Sequence, residues 1–287
     1  MKVFSTLTVL GVLTLNLSAS PAAAGSIAYL GPAGSWTHQA CLDLFGAKDL
    51  VPLARDELFN SYRNGSVERA CVPVTTPIVG VTPYLDAVLD LPEVTIVAEY
   101  PKMLGYSLLA RPGAKREDIR EVFAHPVAFE EVKPWVDREM PGVRRSDAAS
   151  GGAAAQAVAN SPALDKASFG PKVGATVYSL VSLVDGIEEG PHNVTRWWVL
   201  GRAMPAPTGH DKTSLLLNTS DEQFGALLAA IAAAGVQVLT VYERPSKKTL
   251  DTHRYLIEVA GHAKEGKLAE FLGKNPAFRV LGSYPRK

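Results

Sequence analysis

Ile27-Ala-Tyr-Leu-Gly-Pro-Ala-Gly-Ser-Trp-Thr-His-Gln-Ala40 sets the frame for the rest of the chain. Its first four residues are an apolar run that stops at Gly31-Pro32, as a strand does. Gly34-Ser35 then opens a helix. Ala40, Cys41, Leu44 and Phe45 fall on one face of it, and Gly46 ends it. A strand, a Gly-Pro-Ala-Gly turn and a helix start together present free backbone N–H groups and the positive end of the helix dipole. That is the geometry of an anion site.

The same alternation continues outward. Residues 56–63 carry a helical pattern. Residues 69–74 form a buried-strand run that ends in the Thr75-Thr76-Pro77 turn, and 84–91 predict another helix. Runs 94–100 and 107–111 alternate like strands, 119–124 stops at His125-Pro126, and 127–138 is helical. An alanine-rich helix over 151–159 has Ser150 at its cap position. A strand at 167–169, a helix at 173–180 and an apolar strand at 197–200 complete the series. Strands alternating with helices predict an α/β layer structure.

After a Pro/Gly-rich linker the pattern changes. Residues 213–218 read as a strand. Ser220 with Gln223 forms a capping box for a helix over 224–234, which Gly235 ends. Strands at 236–243 and 252–259, a helix at 264–272 and a strand at 278–282 follow. This βαββαβ order predicts a ferredoxin-like module. The expected division is 25–202 for the α/β domain, 203–211 for the linker and 212–287 for the second domain.

Composition narrows the function classes. The 287 residues suit about two domains. The 29 basic and 29 acidic side chains cancel, which argues against nucleic acid or an anionic membrane surface as partner. The two cysteines, Cys41 and Cys71, show no metal-site spacing, and their apolar contexts suit small core residues. There is no P-loop, no GxGxxG and no metal constellation, so neither cofactor nor metal is implied. Residues 1–24 read as a secretory signal peptide: Lys2 is the positive start, 3–17 is apolar, and Ala22-Ala23-Ala24 is the cleavage pattern. The expected location is therefore exported, periplasmic or secreted, with no membrane attachment after cleavage. Export would permit a Cys41–Cys71 disulfide, but the core reading is favoured.

Four segments in order carry a family resemblance. They are Gly31-Pro-Ala-Gly-Ser-Trp-Thr-His-Gln-Ala40, His125-Pro126, Asn193-Val-Thr-Arg-Trp-Trp198 and Leu281-Gly-Ser-Tyr-Pro-Arg286. With the trailing βαββαβ unit, the chain resembles bacterial prephenate dehydratase, a catalytic domain followed by an ACT regulatory domain. The resemblance implies a two-lobed catalytic fold like that of periplasmic binding proteins. It implies conversion of prephenate to phenylpyruvate with loss of carbon dioxide and water, in phenylalanine biosynthesis. Two readings remain open beside it: an exported binding protein for an aromatic amino or keto acid, and a prephenate decarboxylase that does not aromatise the ring.

The same resemblance implies site residues. Thr195 is the expected donor to the departing hydroxyl. Arg196 is expected to pair with a substrate carboxylate, with Trp197 as an aromatic wall where the family usually has Phe. Ser35, Thr37 and Ser150, at helix starts, are further substrate contacts, and so are Thr75 and Thr76. Thr75, Thr76 and Pro77 stand where the family commonly has Glu-Asn-Ser, which exchanges a carboxylate and an amide for two hydroxyls. His38 and His125 are read as structural, and Trp135 and Trp198 as core.

In the second domain Gly225, Ala226 and Leu227 match the family's Gly-Ala-Leu effector loop. Tyr242, Glu243, Arg244 and Pro245 match its Glu-Ser-Arg-Pro signature in the last two positions only. Gln237 stands where Asn is usual. The implied partners are prephenate, L-phenylalanine as an effector, and further copies of the chain in a homodimer or larger homo-oligomer.

Overall fold

The computed structural model describes residues 25–190 and 193–287. The signal-peptide reading of 1–24 lies outside the described residues.

The first lobe contains β1 (Ile27–Leu30), α1 (Trp36–Phe45), β2 (Leu50–Leu53), α2 (Arg55–Arg63), β3 (Arg69–Thr76), β4 (Gly80–Val81), α3 (Pro83–Leu89) and β5 (Thr95–Met103). The second contains β6 (Ser107–Ala110), β7 (Glu121–Ala124), α4 (Pro126–Glu139), β8 (Arg144–Asp147), α5 (Gly151–Asn160), β9 (Lys166–Gly170), α6 (Val173–Tyr178) and β10 (Val181–Asp185). The chain then returns to the first lobe as β11 (Val194–Gly201). Two mixed sheets result, ordered β2-β1-β3-β11-β5 (with β4 on β3) and β10-β6-β9-β7-β8. This is the two-lobed α/β layout that the alternating pattern and the family resemblance predict.

The strands that the pattern leaves out lie at edges: β2, β8 and β10 each end a sheet, and the two-residue β4 pairs only with β3. An edge strand is short and half-solvated, so its pattern is weak: Pro52 interrupts the apolar β2, and β8 reads Arg-Arg-Ser-Asp. Pro52 in β2 fits there because its missing N–H faces away from the ladder.

The C-terminal unit contains β12 (Asp211–Ser220), α7 (Asp221–Ala233), β13 (Val238–Pro245), β14 (Thr252–Ala260), α8 (Gly266–Lys274) and β15 (Arg279–Pro285). Its antiparallel sheet has the order β13-β14-β12-β15. The Ser220 hydroxyl accepts the Gln223 N–H at 3.4 Å, as expected of a cap, but the Gln223 side chain turns to Thr219. Alternation gives the sheet two buried faces. Leu215, Leu217, Ile257 and Val259 join the helix side, while Leu216, Leu256, Leu281 and Tyr284 join the core of the first lobe. The first lobe and the C-terminal sheet therefore share one apolar core. Gly282 explains part of its motif, because a Cβ there would lie 2.1 Å from the Ile96 carbonyl oxygen. Only glycine lets β15 cross β5 so closely.

Cys41 and Cys71 are free, buried thiols in the α1–β3 core. Trp135 and Trp198 are buried as well.

Candidate active site

The site is built around β11, an interior strand of the first sheet that lies between β3 and β5. Side chains alternate along a strand. Asn193, Thr195 and Trp197 line a cleft between the lobes, whereas Arg196 and Trp198 face the other way. The cleft measures about 540 Å³, ample for a small organic acid.

Five helices aim their N-terminal turns at this space, α3 among them through Thr82, Pro83 and Tyr84. Ser35 and Thr37 enter from α1, Arg55 from α2, Val127 and Ala128 from α4, and Ser150 and Gly151 from α5. The caps are locally determined. The Ser35 hydroxyl accepts the His38 N–H at 3.3 Å, the Ser150 hydroxyl accepts the Ala153 N–H at 3.1 Å, and His125 Nδ1 accepts the Val127 N–H at 3.2 Å. Burial holds the His125 and His38 pKa values below the usual range, and each ring accepts a backbone N–H at Nδ1. Both are therefore neutral caps or turn braces, as the sequence suggests.

The described residues lining the cleft include no carboxylate. They offer the hydroxyls of Ser35, Thr37, Thr76, Ser150 and Thr195, joined by Tyr84 and Tyr106. Helix N-termini and hydroxyls without a competing negative charge make a site for an anion. Trp197 donates its indole N–H to Thr37 Oγ1 at 3.1 Å, which leaves the Thr37 proton for a ligand. Thr195 is buried, and its hydroxyl donates to Asn193 Oδ1 at 3.1 Å.

Ser35, Thr37, Thr76, Ser150, Thr195 and Trp197 thus meet in one place. Thr75 does not line the cleft: it pairs in register with Arg196 and Val81. Arg196 is the larger correction. Its Nη1 lies 2.8 and 2.7 Å from the two Glu258 carboxylate oxygens and 3.3 Å from Glu99. Lys212 completes the cluster with Glu99 at 2.7 Å. The period of two, applied from Thr195, puts the next residue on the opposite face.

The same rule divides the second signature. Tyr242 packs on the core of the first lobe, and Arg244 forks onto Asp86 of α3 at 2.9 and 2.6 Å. Glu243 lies 3.4 Å from His253, and its register partner Tyr255 stacks on Phe224 of α7. Tyr242 and Arg244 are therefore separated by the sheet from Gly225, Ala226 and Leu227 on α7. Glu243 and Pro245 share the helix side with them.

Asn193 and Arg55 line the cleft, and Glu131 lies behind it, although none of the three is among the site residues expected from the sequence. Asn193 could have been found by the same alternation, two positions before Thr195. Arg55 is the only guanidinium among the described lining residues. Glu131 was signalled by its place on the buried stripe of α4, beside Ala128, Val132 and Trp135.

Fold and cleft together define a two-lobed α/β protein with an anion-binding interlobe site and an appended antiparallel module. Residues 27–205 match the prephenate dehydratase family. The chain is 33% identical over 282 residues to the prephenate dehydratase of Mycolicibacterium gilvum, covering 90% of each. It also superposes on the Arthrobacter aurescens prephenate dehydratase in complex with L-Phe (30% identity, TM-score 0.81, 91% of this chain and 90% of that one). A quorum-quenching acylase shares the fold at 24% identity and TM-score 0.82, over 91% and 98% of the two chains. The chain belongs to the prephenate dehydratase family.

Proposed function

We infer that the protein is a carbon–oxygen lyase that converts prephenate to phenylpyruvate in phenylalanine biosynthesis. The observation that carries the reading is the buried Thr195 hydroxyl in an interlobe cleft whose described lining has no carboxylate.

The reaction needs two things from such a cleft. It must bind a dicarboxylate, and it must protonate a departing hydroxyl. The bond from the ring to its carboxylate breaks and carbon dioxide leaves. The released electron pair closes the aromatic ring and expels the ring hydroxyl, which takes one proton and departs as water. Thr195 donates that proton and recovers one from solvent. The α1 and α5 N-termini, with Ser35, Thr37, Thr76 and Ser150, hold the carboxylates. Arg55 takes the carboxylate-pairing role that the sequence alone assigns to Arg196. Trp197 walls the ring. General-acid help of this kind is worth about 10²–10⁴-fold in rate.

The C-terminal unit serves as an ACT module that binds L-phenylalanine on its helix side, near Gly225, Ala226, Leu227, Glu243 and Pro245. The support is the L-Phe complex of the Arthrobacter relative and the openness of α7, where of thirteen residues only Ile231 is buried. An apolar helix left so open also suits pairing with a second copy of the chain. Residues 1–24 act as a secretory signal, which makes this an exported member of the family. Fusion of 1–24 to a reporter active only outside the cytoplasm tests that reading, and a silent reporter would refute it.

The activity is tested by incubating the purified protein with prephenate and following phenylpyruvate by its absorbance in alkali. Turnover that Thr195→Val abolishes in a folded protein is expected. Tight binding of prephenate without product would leave a binding protein, and a non-aromatic product would leave a decarboxylase.

A further inference from the structure

Behind Thr195 lies a buried chain of hydrogen bonds that leads to an acid. The Thr195 hydroxyl donates to Asn193 Oδ1 at 3.1 Å. The Asn193 amide in turn donates through Nδ2 to Glu131 Oε1. The Tyr106 hydroxyl, from the segment between β5 and β6, donates to the same oxygen at 3.1 Å. Glu131 is 1% exposed, and Asn193 and Tyr106 are 3% each, so the chain is shielded from water. Asn193 and Tyr106 line the cleft, but Glu131 does not. Glu131 therefore reaches the reacting atoms only through its neighbours.

We propose that Glu131 is a positioning residue for Thr195, acting through Asn193: its neutral acid leaves the threonine hydroxyl free to turn to the substrate, and its carboxylate holds that hydroxyl back. This rests on the reading of Thr195 as the donor to the departing hydroxyl.

The argument is electrostatic. A carboxylate that accepts the Asn193 N–H pushes electron density onto Asn193 Oδ1 and makes it a stronger acceptor for the Thr195 hydrogen. A negative charge two hydrogen bonds from the donor also opposes a dianionic substrate in a dry cleft. A proton on Glu131 relieves both effects. Both described hydrogen bonds end on Oε1, so the proton can sit on Oε2 without breaking either.

The surroundings favour that proton. Burial is the leading cause that raises the Glu131 pKa to about 7, against the lowering by Asn193 and Tyr106. Glu188, from the segment after β10, faces it as a like charge and raises it further. Glu188 is itself held by the Tyr106 backbone N–H at 2.7 Å. Tyr106 stays protonated, because burial and Glu131 push its own pKa well above the ordinary value.

The experiment is the pH dependence of kcat/KM for prephenate in the wild type, Glu131→Gln and Glu131→Leu, with folding checked by circular dichroism. Glu131→Gln keeps an acceptor oxygen for Asn193 and Tyr106 but cannot ionise. Wild-type kcat/KM is expected to fall about tenfold for each pH unit above its break near pH 7, since this ratio reports the free enzyme. Glu131→Gln is expected to stay active and lose that fall. Glu131→Leu, which removes the acceptor, is expected to lose tenfold or more in kcat at every pH. A Glu131→Gln profile that still breaks where the wild type does would overturn the inference alone, and so would a folded Glu131→Leu with full activity. A wild type that does not turn prephenate over, or that ignores Thr195→Val, would overturn the reading of the activity and the inference with it.

Discussion

Arg196 follows Thr195 directly on β11, yet its guanidinium lies on the far side of the sheet, with Nη1 2.7 and 2.8 Å from the two carboxylate oxygens of Glu258 on β14. One peptide step thus separates the cleft from the surface where the first lobe meets the C-terminal sheet. Glu99 and Lys212 balance the charge of this buried group. Removing one member leaves an uncompensated charge, which costs about 3–5 kcal/mol. Glu258→Ala is therefore expected to lower the denaturation midpoint sharply. Chemical denaturation measures it, and a midpoint within error of the wild type would show that the cluster adds nothing.

Arg55 and Arg196 should fail in different ways. Arg55 lines the cleft at the first position of α2, and its side chain is half-exposed. A charge-assisted hydrogen bond is worth about 1.5–3 kcal/mol, and each 1.4 kcal/mol is a factor of ten in affinity. Solvent screening at an exposed site favours the lower end. Arg55→Met should raise KM for prephenate about tenfold with stability unchanged, whereas Arg196→Met should destabilise the protein. Steady-state kinetics together with thermal melts separate the two. An unchanged KM in Arg55→Met would return the carboxylate contact to the helix N-termini alone.

The lobes touch where α5 meets the turn before α1. A Cβ on Gly152 would lie 2.5 Å from the Ala33 carbonyl oxygen and 3.0 Å from the Ser35 N–H nitrogen. Tyr178 of α6 closes the same contact by donating to the Ala33 carbonyl at 2.9 Å. Gly152→Ala must push α5 away from Ser35, and overpacking of this kind costs about 1–3 kcal/mol. The expected result is a clear loss of kcat/KM, because Ser35 and Ser150 move apart. Normal kinetics in this variant would mean that the lobes close without this contact.

Glu131 also links stability to pH. Its folded pKa, about 7, lies above the ordinary carboxyl value of 4.5. The folded protein therefore binds the proton more tightly than the unfolded chain does. The associated stability is complete below pH 4.5 and is lost as pH rises through 7. The shift corresponds to roughly 3 kcal/mol at one pKa unit per 1.36 kcal/mol. Glu131→Gln should therefore gain on the wild type in thermal stability between pH 4.5 and 7, with a constant difference above. Melting curves across that range test it, and a difference independent of pH would show that Glu131 titrates normally.

What could be read without the structure was local. The turn at Gly31-Pro-Ala-Gly34, the caps Ser35, Ser150 and Ser220, and the order of strands and helices all follow from a few neighbouring residues. So does the βαββαβ order, because period and punctuation are properties of short segments. The hydroxyls at helix starts were found for the same reason: a cap and an anion contact occupy the same place in the chain.

Residues whose surroundings come from far along the chain could not be read this way. Arg196 and Glu258 are 62 positions apart, as are Asn193 and Glu131, and Arg244 reaches back 158 positions to Asp86. A charged side chain has the same identity in the cleft as at the seam with the C-terminal sheet, and only the face of the strand and the partner brought to it decide the difference. By itself the amino-acid sequence determined the helices, the interior strands and which helix starts carry hydroxyls, because periodicity and capping are short-range, whereas the edge strands β2, β8 and β10 show only in the sheets they close. The tertiary structure alone decided that Arg196 leaves the cleft and that Glu131 stands behind it, because burial and charge pairing exist only after distant segments pack.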